Sequence, residues 1–349
     1  MRSRVFILIT LAAAAAVLAL TQLVSNNYFF FAGYTVLQFV VLATAWNILG
    51  GYCGYVNFGS AGFFAVGAYS SVALHKFDPA KPIEICAPFS SYFDWNCLDL
   101  DVSFLTPLFP LPIPAVIIVG GIVSGIVGYG MGYLTLRLRG SFFAIATLAL
   151  AVVLQTLIVN WDYVGGSRGA YVIRPANLDV FGHQIPYIEY LFLLMLILAA
   201  AAVFIARMIE RSRLGFGFAT IRDDELAAEA SGVPTLRLKL IATTISGGLM
   251  GMAGAPFPYY IGYLEPSSAF GLAYAVNSIA MPMIGGTGTW IGPLVGALLL
   301  GTIQQVATVT ISSAVNLLIV GVLLVAFVII APNGVVGFVQ DRMRAKDRS

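Results

Sequence analysis

The sequence predicts an all-α polytopic membrane protein, and three observations lead to that class. The 349-residue chain is 59% hydrophobic and 10% charged, with a mean hydropathy of +0.92. A soluble domain carries about 25% charged residues, so most of this surface must face lipid. The apolar runs are continuous and much longer than the roughly ten alternating positions of a barrel strand, which favours helices.

Hydropathy predicts about 10 membrane-spanning helices, some of them short or broken at Gly-rich loops. The first has a basic start like a secretory signal, but its apolar core is long and no small-residue cleavage site follows it. We therefore expect it to be retained as a span. The predicted spans are residues 5–24, 36–49, 56–74, 114–136, 141–160, 188–206, 240–257, 270–284, 291–309 and 314–330.

The distribution of charge predicts how the chain crosses the membrane. With the N-terminus inside, all but four of the 18 Lys and Arg residues fall in inner loops and tails, so we expect N-in and C-in. No ionisable side chain falls in the middle of a predicted span. This disfavours a proton-driven carrier, although sodium sites built from carbonyls remain open. It also disfavours an intramembrane enzyme, because catalysis usually needs a positioned His, Cys or carboxylate.

A long outer loop is predicted over residues 75–113, and it contains Cys86 and Cys97. The two cysteines are close in sequence on an oxidising side, so we expect a Cys86–Cys97 disulfide; the competing interpretation is two unrelated thiols. No C-x-x-C spacing and no paired histidines accompany them, so we expect no metal site.

Two stretches are rich in glycine: GGYCGYVNFGSAGFFAVGAY, residues 50–69 (the first Gly-rich segment), and MIGGTGTWIGPLVGALLLG, residues 283–301 (the second Gly-rich segment). Each follows a short predicted span through a Gly pair, a pattern typical of a transport site between repeats. Two interpretations remain open: a broken helix lining a solute path, or close helix packing through small residues. The first gives as candidate path residues Asn57, Phe58, Ser60, Asn277 and Thr287.

Residues 207–239, here named the coupling segment, are densely charged between two apolar runs. A loop can join two spans in a few residues, so we interpret this longer one as the contact through which a separate motor protein drives the chain; the competing interpretation is a solvated connector. Residues 223–234 predict a short helix with acids in its first turn, a stop at Gly232 and Pro234 beyond. The candidate contact residues are Arg222, Asp223, Asp224, Glu225, Ala228, Glu229 and Gly232.

Nucleotide chemistry is expected on another polypeptide. The pair Gly-Lys does not occur in the sequence, which excludes a Walker-type phosphate loop. If ATP powers this protein, ATP and Mg are bound by partner subunits, and this chain itself needs no cofactor.

The order of these pieces resembles the permease subunits of branched-chain amino acid ABC importers over nearly the whole chain. The resemblance rests on NILGGYCGYVNFGSAGFFAVGAY, LRLRGSFFAIATLALAVVLQTL, SRLGFGFATIRDDELAAEASGVPTLRLK, MIGGTGTWIGPLVGALLLG and FVIIAPNGVVGF. It implies a single transmembrane permease domain over residues 1–349 in the bacterial inner membrane. It also implies alternating access, a second related permease, two ATPase subunits and an extracytoplasmic solute-binding protein, with no enzymatic activity and no nucleic acid partner.

The resemblance further implies that the coupling segment contains a helix that sits in an ATPase groove. The wider superfamily marks this helix with Glu-Ala-Ala followed by Gly four residues later. The best fit here is Glu225, Ala227, Ala228 and Gly232, with Leu226 inserted, so the role of any single acid stays open. Leucine-like amino acids are the expected solutes, and urea, short amides or another small polar solute are the alternative. A stand-alone channel or ion-coupled carrier is the second hypothesis.

Overall fold

The structure is a computed structural model that describes residues 27–77, 83–85, 98–100, 111–135, 138, 140–175, 177–180, 183–310, 318, 321–322, 325–326 and 334–338. The predicted first span and most of the predicted last span lie outside the described residues. Cys86 and Cys97 also lie outside them, so the disulfide stays a prediction.

Helices dominate the part of the chain that the structure describes, and they agree with the predicted class. They are α1 Asn27–Asn47, α2 Ser60–Lys76, α3 Ile113–Thr135, α4 Ser141–Val159, α5 Tyr187–Glu210, α6 Arg213–Asp223, α7 Glu225–Ala230, α8 Thr235–Gly254, α9 Phe257–Ile261, α10 Pro266–Ala269, α11 Leu272–Gly285 and α12 Ile291–Thr310. A π-helical turn, Ile48–Tyr52, extends α1, and two 3-10 turns, Asp162–Val164 and Gly166–Arg168, follow α4.

Three small antiparallel sheets lie in the loops, where the sequence predicted no strands. Each has two strands: β1 Ile83–Ile85 pairs with β2 Leu98–Leu100, β3 Ala170–Tyr171 with β6 Tyr263–Leu264, and β4 Asn177–Val180 with β5 His183–Pro186. These pairs are too short to change the fold class, and they tie inter-helix loops together.

Seven described helical stretches are long and apolar enough to cross a membrane. They are Tyr28–Tyr52, Ile113–Thr135, Ser141–Val159, Tyr187–Glu210, Thr235–Ile261, Pro266–Gly285 and Ile291–Thr310. Helix α2, with 17 residues, occupies the remaining predicted span within the described residues. The total of about ten spans and the orientation of the chain stay predictions.

One predicted span was wrong in length. Residues 36–49 were expected to be a short crossing, but the apolar stretch runs over Tyr28–Tyr52, 25 residues. The aromatic run before residue 36 continues the helix toward the N-terminus, and Gly33 and Thr35 had lowered the local hydropathy there. Helix α11 itself is short, with 14 residues, but the apolar stretch that contains it runs over Pro266–Gly285, 20 residues. Neither Gly-rich segment therefore follows an apolar stretch too short to cross a membrane.

The predicted span edges on either side of the coupling segment were also wrong. Helix α5 continues to Glu210 and α8 begins at Thr235, so both helices extend into the charged stretch. Arg207 and Lys239 consequently lie within helices, and they are only 5% and 3% exposed. Two basic residues expected in an open loop are thus packed against the helical core.

The centre of the bundle is a close contact of α2, α3 and α8. A Cβ added to Gly67 would lie 2.0 Å from the Gly251 carbonyl oxygen, and one added to Gly251 would lie 2.2 Å from the Ser124 Cβ. The Ser124 hydroxyl lies 2.8 Å from the Gly247 carbonyl oxygen and 3.0 Å from that of Phe63. Small residues therefore let these helix backbones approach, as membrane helices commonly do.

The loops separate to two ends of the bundle. At one end Lys76 donates to the Tyr163 carbonyl oxygen (3.3 Å), the Tyr163 hydroxyl donates to the Ala73 carbonyl oxygen (3.1 Å), and Arg174 donates to that of Tyr260 (2.9 Å). The coupling segment contacts the Gly-rich turns at the other end, here named the coupling end. The side of the membrane on which each end lies stays a prediction.

Candidate functional site

The first Gly-rich segment starts as a broken helix. Its π-helical turn is followed by irregular chain up to Gly59, and Gly54 has φ +80°. A Cβ on Gly51 would lie 1.9 Å from the Asn47 Oδ1 atom, so a larger residue there would displace the Asn47 side chain. The Asn57 side chain closes the next turn by accepting from the Gly59 amide (2.8 Å). The later residues form α2 and pack against α8, as the packing interpretation expects; that the break lines a solute path stays a prediction.

The second Gly-rich segment is a tight helix–turn–helix. Helix α11 ends at Gly285, two positive-φ glycines turn the chain, and α12 begins at Ile291. A Cβ on Gly292 would lie 1.7 Å from the Gly286 carbonyl oxygen, and one on Gly296 would lie 1.9 Å from that of Met281. These glycines allow the backbones of two helices to touch directly, as the packing interpretation expects.

The two Gly-rich segments meet at the coupling end. The Asn47 side-chain amide donates to the Thr289 carbonyl oxygen (3.1 Å), and a Cβ on Gly51 would lie 3.0 Å from the Gly288 amide nitrogen. The sequence predicted that the two Gly pairs occupy equivalent positions in the two segments. The structure instead places the first pair against the turn that follows the second pair.

A buried ionic cluster connects the coupling segment to the first Gly-rich segment. The Lys239 ammonium donates to Glu225 Oε1 (2.7 Å) and to the Tyr55 hydroxyl (3.2 Å), and that hydroxyl donates to Glu225 Oε2. The Lys239 and Glu225 side chains are 3% and 14% exposed. Charge-assisted hydrogen bonds in a dry environment are strong and geometrically specific. The cluster therefore fixes α7 to α8 and to the irregular chain after the π-helical turn.

Two further charged residues of the coupling segment reach the Gly-rich segments. Glu210 Oε2 lies 3.3 Å from the Tyr52 hydroxyl and accepts from the Trp290 backbone amide (2.7 Å). The Arg222 guanidinium donates to the Gly51 carbonyl oxygen (3.4 Å). The coupling segment is thus bonded to both Gly-rich segments, and sequence reasoning had assigned no role to Glu210, Lys239 or the two tyrosines.

Helix α7 is the short helix that the sequence predicted, but it begins two residues later than expected. Asp223 ends α6, and Asp224 caps the N-terminus of α7, with Oδ1 accepting from the amides of Leu226 (2.9 Å) and Ala227 (3.1 Å). Gly232 adopts φ +81°, and the Val233 amide returns to the Ala228 carbonyl oxygen (3.0 Å). The predicted stop at Gly232 is therefore confirmed.

The two faces of α7 differ in exposure. Ala228 is buried against the chain itself, while Ala227 and Ala230 are exposed. Leu226 is 63% exposed and is the large apolar side chain on the outer face of α7. On α6, Phe216 is 70% exposed.

The candidate contact residues divide in the same way. Glu225 and Ala228 face the chain's own core, whereas the others are solvent-exposed: Arg222, Asp223, Asp224, Glu229 and Gly232. Within the exposed set, Arg222 pairs with Asp223 (3.4 Å), and Glu229 accepts from the Thr235 hydroxyl (2.8 Å). The roles of these residues toward a partner stay predictions.

The candidate path residues do not converge on one site. Ser60 bonds through its hydroxyl to that of Ser278 (2.7 Å), which joins α2 to α11. Asn277 accepts from the Gln304 side-chain amide (2.8 Å), which joins α11 to α12. Each bond satisfies a polar group between packed helices, the commoner use of polar residues in spans.

The remaining candidates lie apart from that pair of bonds. The Phe58 amide donates to the Thr147 hydroxyl of α4 (3.2 Å), and Asn57 is buried in the turn described above. Thr287 is exposed at the coupling end. Their role in a solute path stays a prediction. Sequence reasoning missed Ser278 and Gln304; a Ser next to Asn277 and a Gln in an apolar run were the available signals.

Cys53 lies inside this site and is fully buried. Burial raises the pKa of its thiol to about 12, against the smaller opposing effect of the nearby Lys239 ammonium. A protonated, buried thiol is inert toward electrophiles. Within the residues that the structure describes, no cluster of three His, Cys, Asp or Glu side chains could hold a metal ion.

Fold and site together define a multi-pass helical membrane protein whose charged segment is bonded to two glycine-rich turns. The chain belongs to the family described as the branched-chain amino acid transport system / permease component, which matches residues 27–328. It is therefore a permease component of an ABC-type transport system, and its relatives are transport components rather than enzymes.

Individual relatives agree with the family. The chain is 26% identical over 330 residues to the high-affinity branched-chain amino acid transport system permease protein LivM of Salmonella typhimurium, covering 88% of this chain and 70% of the relative. It is 25% identical to LivM of Escherichia coli with the same coverage. The ribose import permease protein RbsC of Haemophilus influenzae is 26% identical, covering 66% of this chain and 71% of the relative. No solved structure matches.

Proposed function

We propose that this chain is the membrane permease subunit of an ATP-binding-cassette importer that moves branched-chain or related amino acids inward by alternating access. The likeness to LivM supports the solute class. The observation that carries the mechanism is the bonding of the coupling segment to both Gly-rich segments. A path without fixed charges suits a zwitterion, which can be held by backbone and neutral dipoles.

The proposed assembly follows from a chain without a nucleotide site. A second related permease, two ATPase subunits that bind ATP and Mg, and an extracytoplasmic solute-binding protein complete it. The permease domain spans residues 1–349 in the bacterial cytoplasmic membrane, with the coupling end toward the cytoplasm. The exposed apolar side chains Leu226 and Phe216 are the proposed ATPase contacts, because 63% and 70% exposure outside a membrane span leaves them for a protein partner.

Force is proposed to pass from the ATPase to the permease through the buried cluster. A pull on α7 acts on Glu225, whose carboxylate is bonded to Lys239 in α8 and to Tyr55 in the first Gly-rich segment. The glycine-rich chain there is the softest backbone in the neighbourhood, so it is the part that yields. Movement of the coupling segment is thereby converted into movement of that segment.

The decisive experiment changes the exposed face of α7 in the assembled transporter. We expect Leu226→Asp to release the ATPase subunits during purification and to abolish ATP-dependent uptake, since a carboxylate cannot enter an apolar groove without cost. Thermal stability of the permease should not change, because the side chain is exposed. The matched control is Ile173→Asp, 84% exposed at the opposite end, which should retain the ATPases.

Full ATPase retention and normal uptake by the Leu226→Asp transporter would end the coupling proposal. Replacement of residues 225–232 by a Gly/Ser linker should give the same loss while the chain still inserts. Concentrative uptake by the purified chain alone, without ATP, would instead favour the stand-alone carrier.

The solute is tested by uptake into vesicles containing the assembled transporter and its own binding protein. We expect labelled leucine, isoleucine or valine to accumulate with ATP. The relative named as a ribose import permease makes ribose the specific competing solute. Urea and short amides are tested in the same way. Selective accumulation of ribose, urea or a short amide would identify that compound as the solute instead, and the chain would remain a permease of the same family.

A further inference from the structure

We propose that Glu210 is a positioning residue that holds the two Gly-rich segments together at the coupling end and releases the first of them during transport. This inference rests on the proposed function. Glu210 is the last residue of α5 and belongs to the coupling segment. Its Oε2 atom contacts Tyr52 of the first Gly-rich segment and Trp290 of the second.

The geometry makes the carboxylate a junction of three parts of the chain. Residues 52, 210 and 290 are far apart in sequence, yet a single oxygen accepts from the backbone of one Gly-rich segment and lies within reach of a hydroxyl from the other. A neutral bond lies nearby, from Asn47 at the end of α1, just before the first Gly-rich segment, to the Thr289 carbonyl oxygen of the second (3.1 Å). The Glu210 contacts are the charge-assisted ones, and such bonds are about twice as strong as neutral bonds.

The two arms of the junction are unequal. The Trp290 amide lies 2.7 Å from the carboxylate oxygen, while the Tyr52 hydroxyl lies 3.3 Å away and is equally close to the Ala206 carbonyl oxygen. One hydroxyl proton is shared between these two acceptors. The Tyr52 arm is therefore the weaker one, and it is attached to chain that contains the conformationally permissive Gly50, Gly51 and Gly54.

Partial exposure makes this junction suitable for release. Glu210 is half-buried, so water can replace the tyrosine hydroxyl when the segments separate. The Glu225–Lys239 pair is much more enclosed, so it suits a permanent attachment. Helix α6 starts three residues after Glu210, at Arg213, so a displacement of the coupling segment acts on the carboxylate almost directly.

The native thiol of Cys53 reports the state of the junction. It is adjacent to Tyr52 and fully buried, so it reacts only when the first Gly-rich segment leaves its site. The experiment measures its alkylation by N-ethylmaleimide in the full assembled transporter in vesicles, with the modified peptide identified by mass spectrometry. In the unaltered transporter we expect slow alkylation at rest and faster alkylation during ATP turnover.

We expect Glu210→Ala to raise the resting alkylation rate about tenfold, because both arms are lost. Tyr52→Phe should raise it less, and adding Tyr52→Phe to Glu210→Ala should raise it by less than Tyr52→Phe does alone, since only the hydroxyl's bond to the Ala206 carbonyl oxygen is left to lose. Glu210→Gln keeps an acceptor oxygen and should lie between Glu210→Ala and the unaltered chain. Glu189→Gln, at the other end of α5, is the matched control and should react as the unaltered chain does.

An unchanged resting rate in Glu210→Ala would overturn the inference, as would a full additional effect of Tyr52→Phe in that background. Faster alkylation of Cys53 in Glu189→Gln as well would show general loosening of the fold and would also overturn it. Failure of the proposed function has a different signature: ATP would change the alkylation rate in none of the transporters, whatever the resting rates are.

Discussion

The two Gly-rich segments are similar in sequence, but the turn at the start of the first differs from the turn in the second. In the second segment a Cβ on Gly285 or Gly292 would lie within 2 Å of a backbone oxygen, 1.8 Å and 1.7 Å respectively. In the first segment the chain is irregular around Gly54, and side chains of the coupling segment reach it: Glu210, Arg222, Glu225 and Lys239.

This difference shows that glycine density alone does not identify a moving part. Glycine stiffens a structure where it lets two helix backbones interlock, and it softens one where it leaves the chain without regular hydrogen bonds. The second segment is therefore interpreted as the fixed half of the coupling end and the first as the half that moves. Variants in each half test whether the two segments differ in this way.

The largest effect is expected from Gly292→Ala in the fixed half. The added Cβ meets the Gly286 carbonyl oxygen at 1.7 Å, so α11 and α12 must separate, at a cost of about 3 kcal/mol or more. We expect little folded protein in the membrane and a much lower midpoint of thermal unfolding. The control is Gly130→Ala in α3, where an added Cβ meets nothing within 4 Å.

The control should be neutral or slightly stabilising, because alanine is the better helix former. If Gly292→Ala accumulated and unfolded like Gly130→Ala, α11 and α12 would not be in backbone contact. The contrast between a fixed and a moving Gly-rich segment would then have no basis.

An intermediate effect is expected from Glu225→Gln in the attachment of the moving half. Lys239 keeps only a neutral partner in place of a carboxylate, and the loss is about 2 kcal/mol of unfolding free energy. Lys239→Met in the same background should add much less than it costs alone, because both changes remove one ion pair. Thermal unfolding of the four chains in detergent measures this cycle.

Additive losses in that cycle would show that Glu225 and Lys239 act independently. Uptake by the same variants separates attachment from stability. If the cluster transmits force, uptake should fall further than the amount of folded protein does. If uptake falls only in proportion to the amount of folded protein, the cluster stabilises the fold and does not transmit force.

Much of the fold could be predicted because its causes are local. Long apolar runs define the helices, and the Asp224 cap and Gly232 stop define α7 within a dozen residues. The ends of the helices were harder to predict. A helix continues into charged or aromatic sequence where tertiary contacts accommodate those side chains. Lys239 shows this: its neighbours predict a loop, but a carboxylate and a tyrosine accommodate it inside α8.

The site could be predicted only in pieces. Sequence reasoning identified both Gly-rich segments and the coupling segment, but nothing in one chain states that Tyr55 lies against Lys239, or that Glu210 reaches Trp290. Such pairs depend on how helices distant in sequence pack together. The candidate path residues were hard to predict for the same reason. A Ser or Asn in an apolar run has the same spacing whether it lines a path or joins two helices.

The smallest effect is expected from Asp224→Ala, which removes the cap of α7 and leaves the buried cluster in place. Two backbone amides, those of Leu226 and Ala227, lose their acceptor, at a cost of about 1 kcal/mol. Hydrogen exchange should speed up at these amides. The neighbouring Asp223→Ala, whose side chain is 74% exposed and does not cap, should leave exchange unchanged.

The Asp224→Ala variant also tests whether the moving half depends on the helical state of α7 or only on the Glu225 bond. Since that bond is buried and charge-assisted, loosening the cap should leave Cys53 as slowly alkylated as in the unaltered chain. Faster alkylation would mean that the whole coupling helix, rather than one carboxylate, holds the first Gly-rich segment in place, and the difference between the two segments would then depend on α7 as a unit.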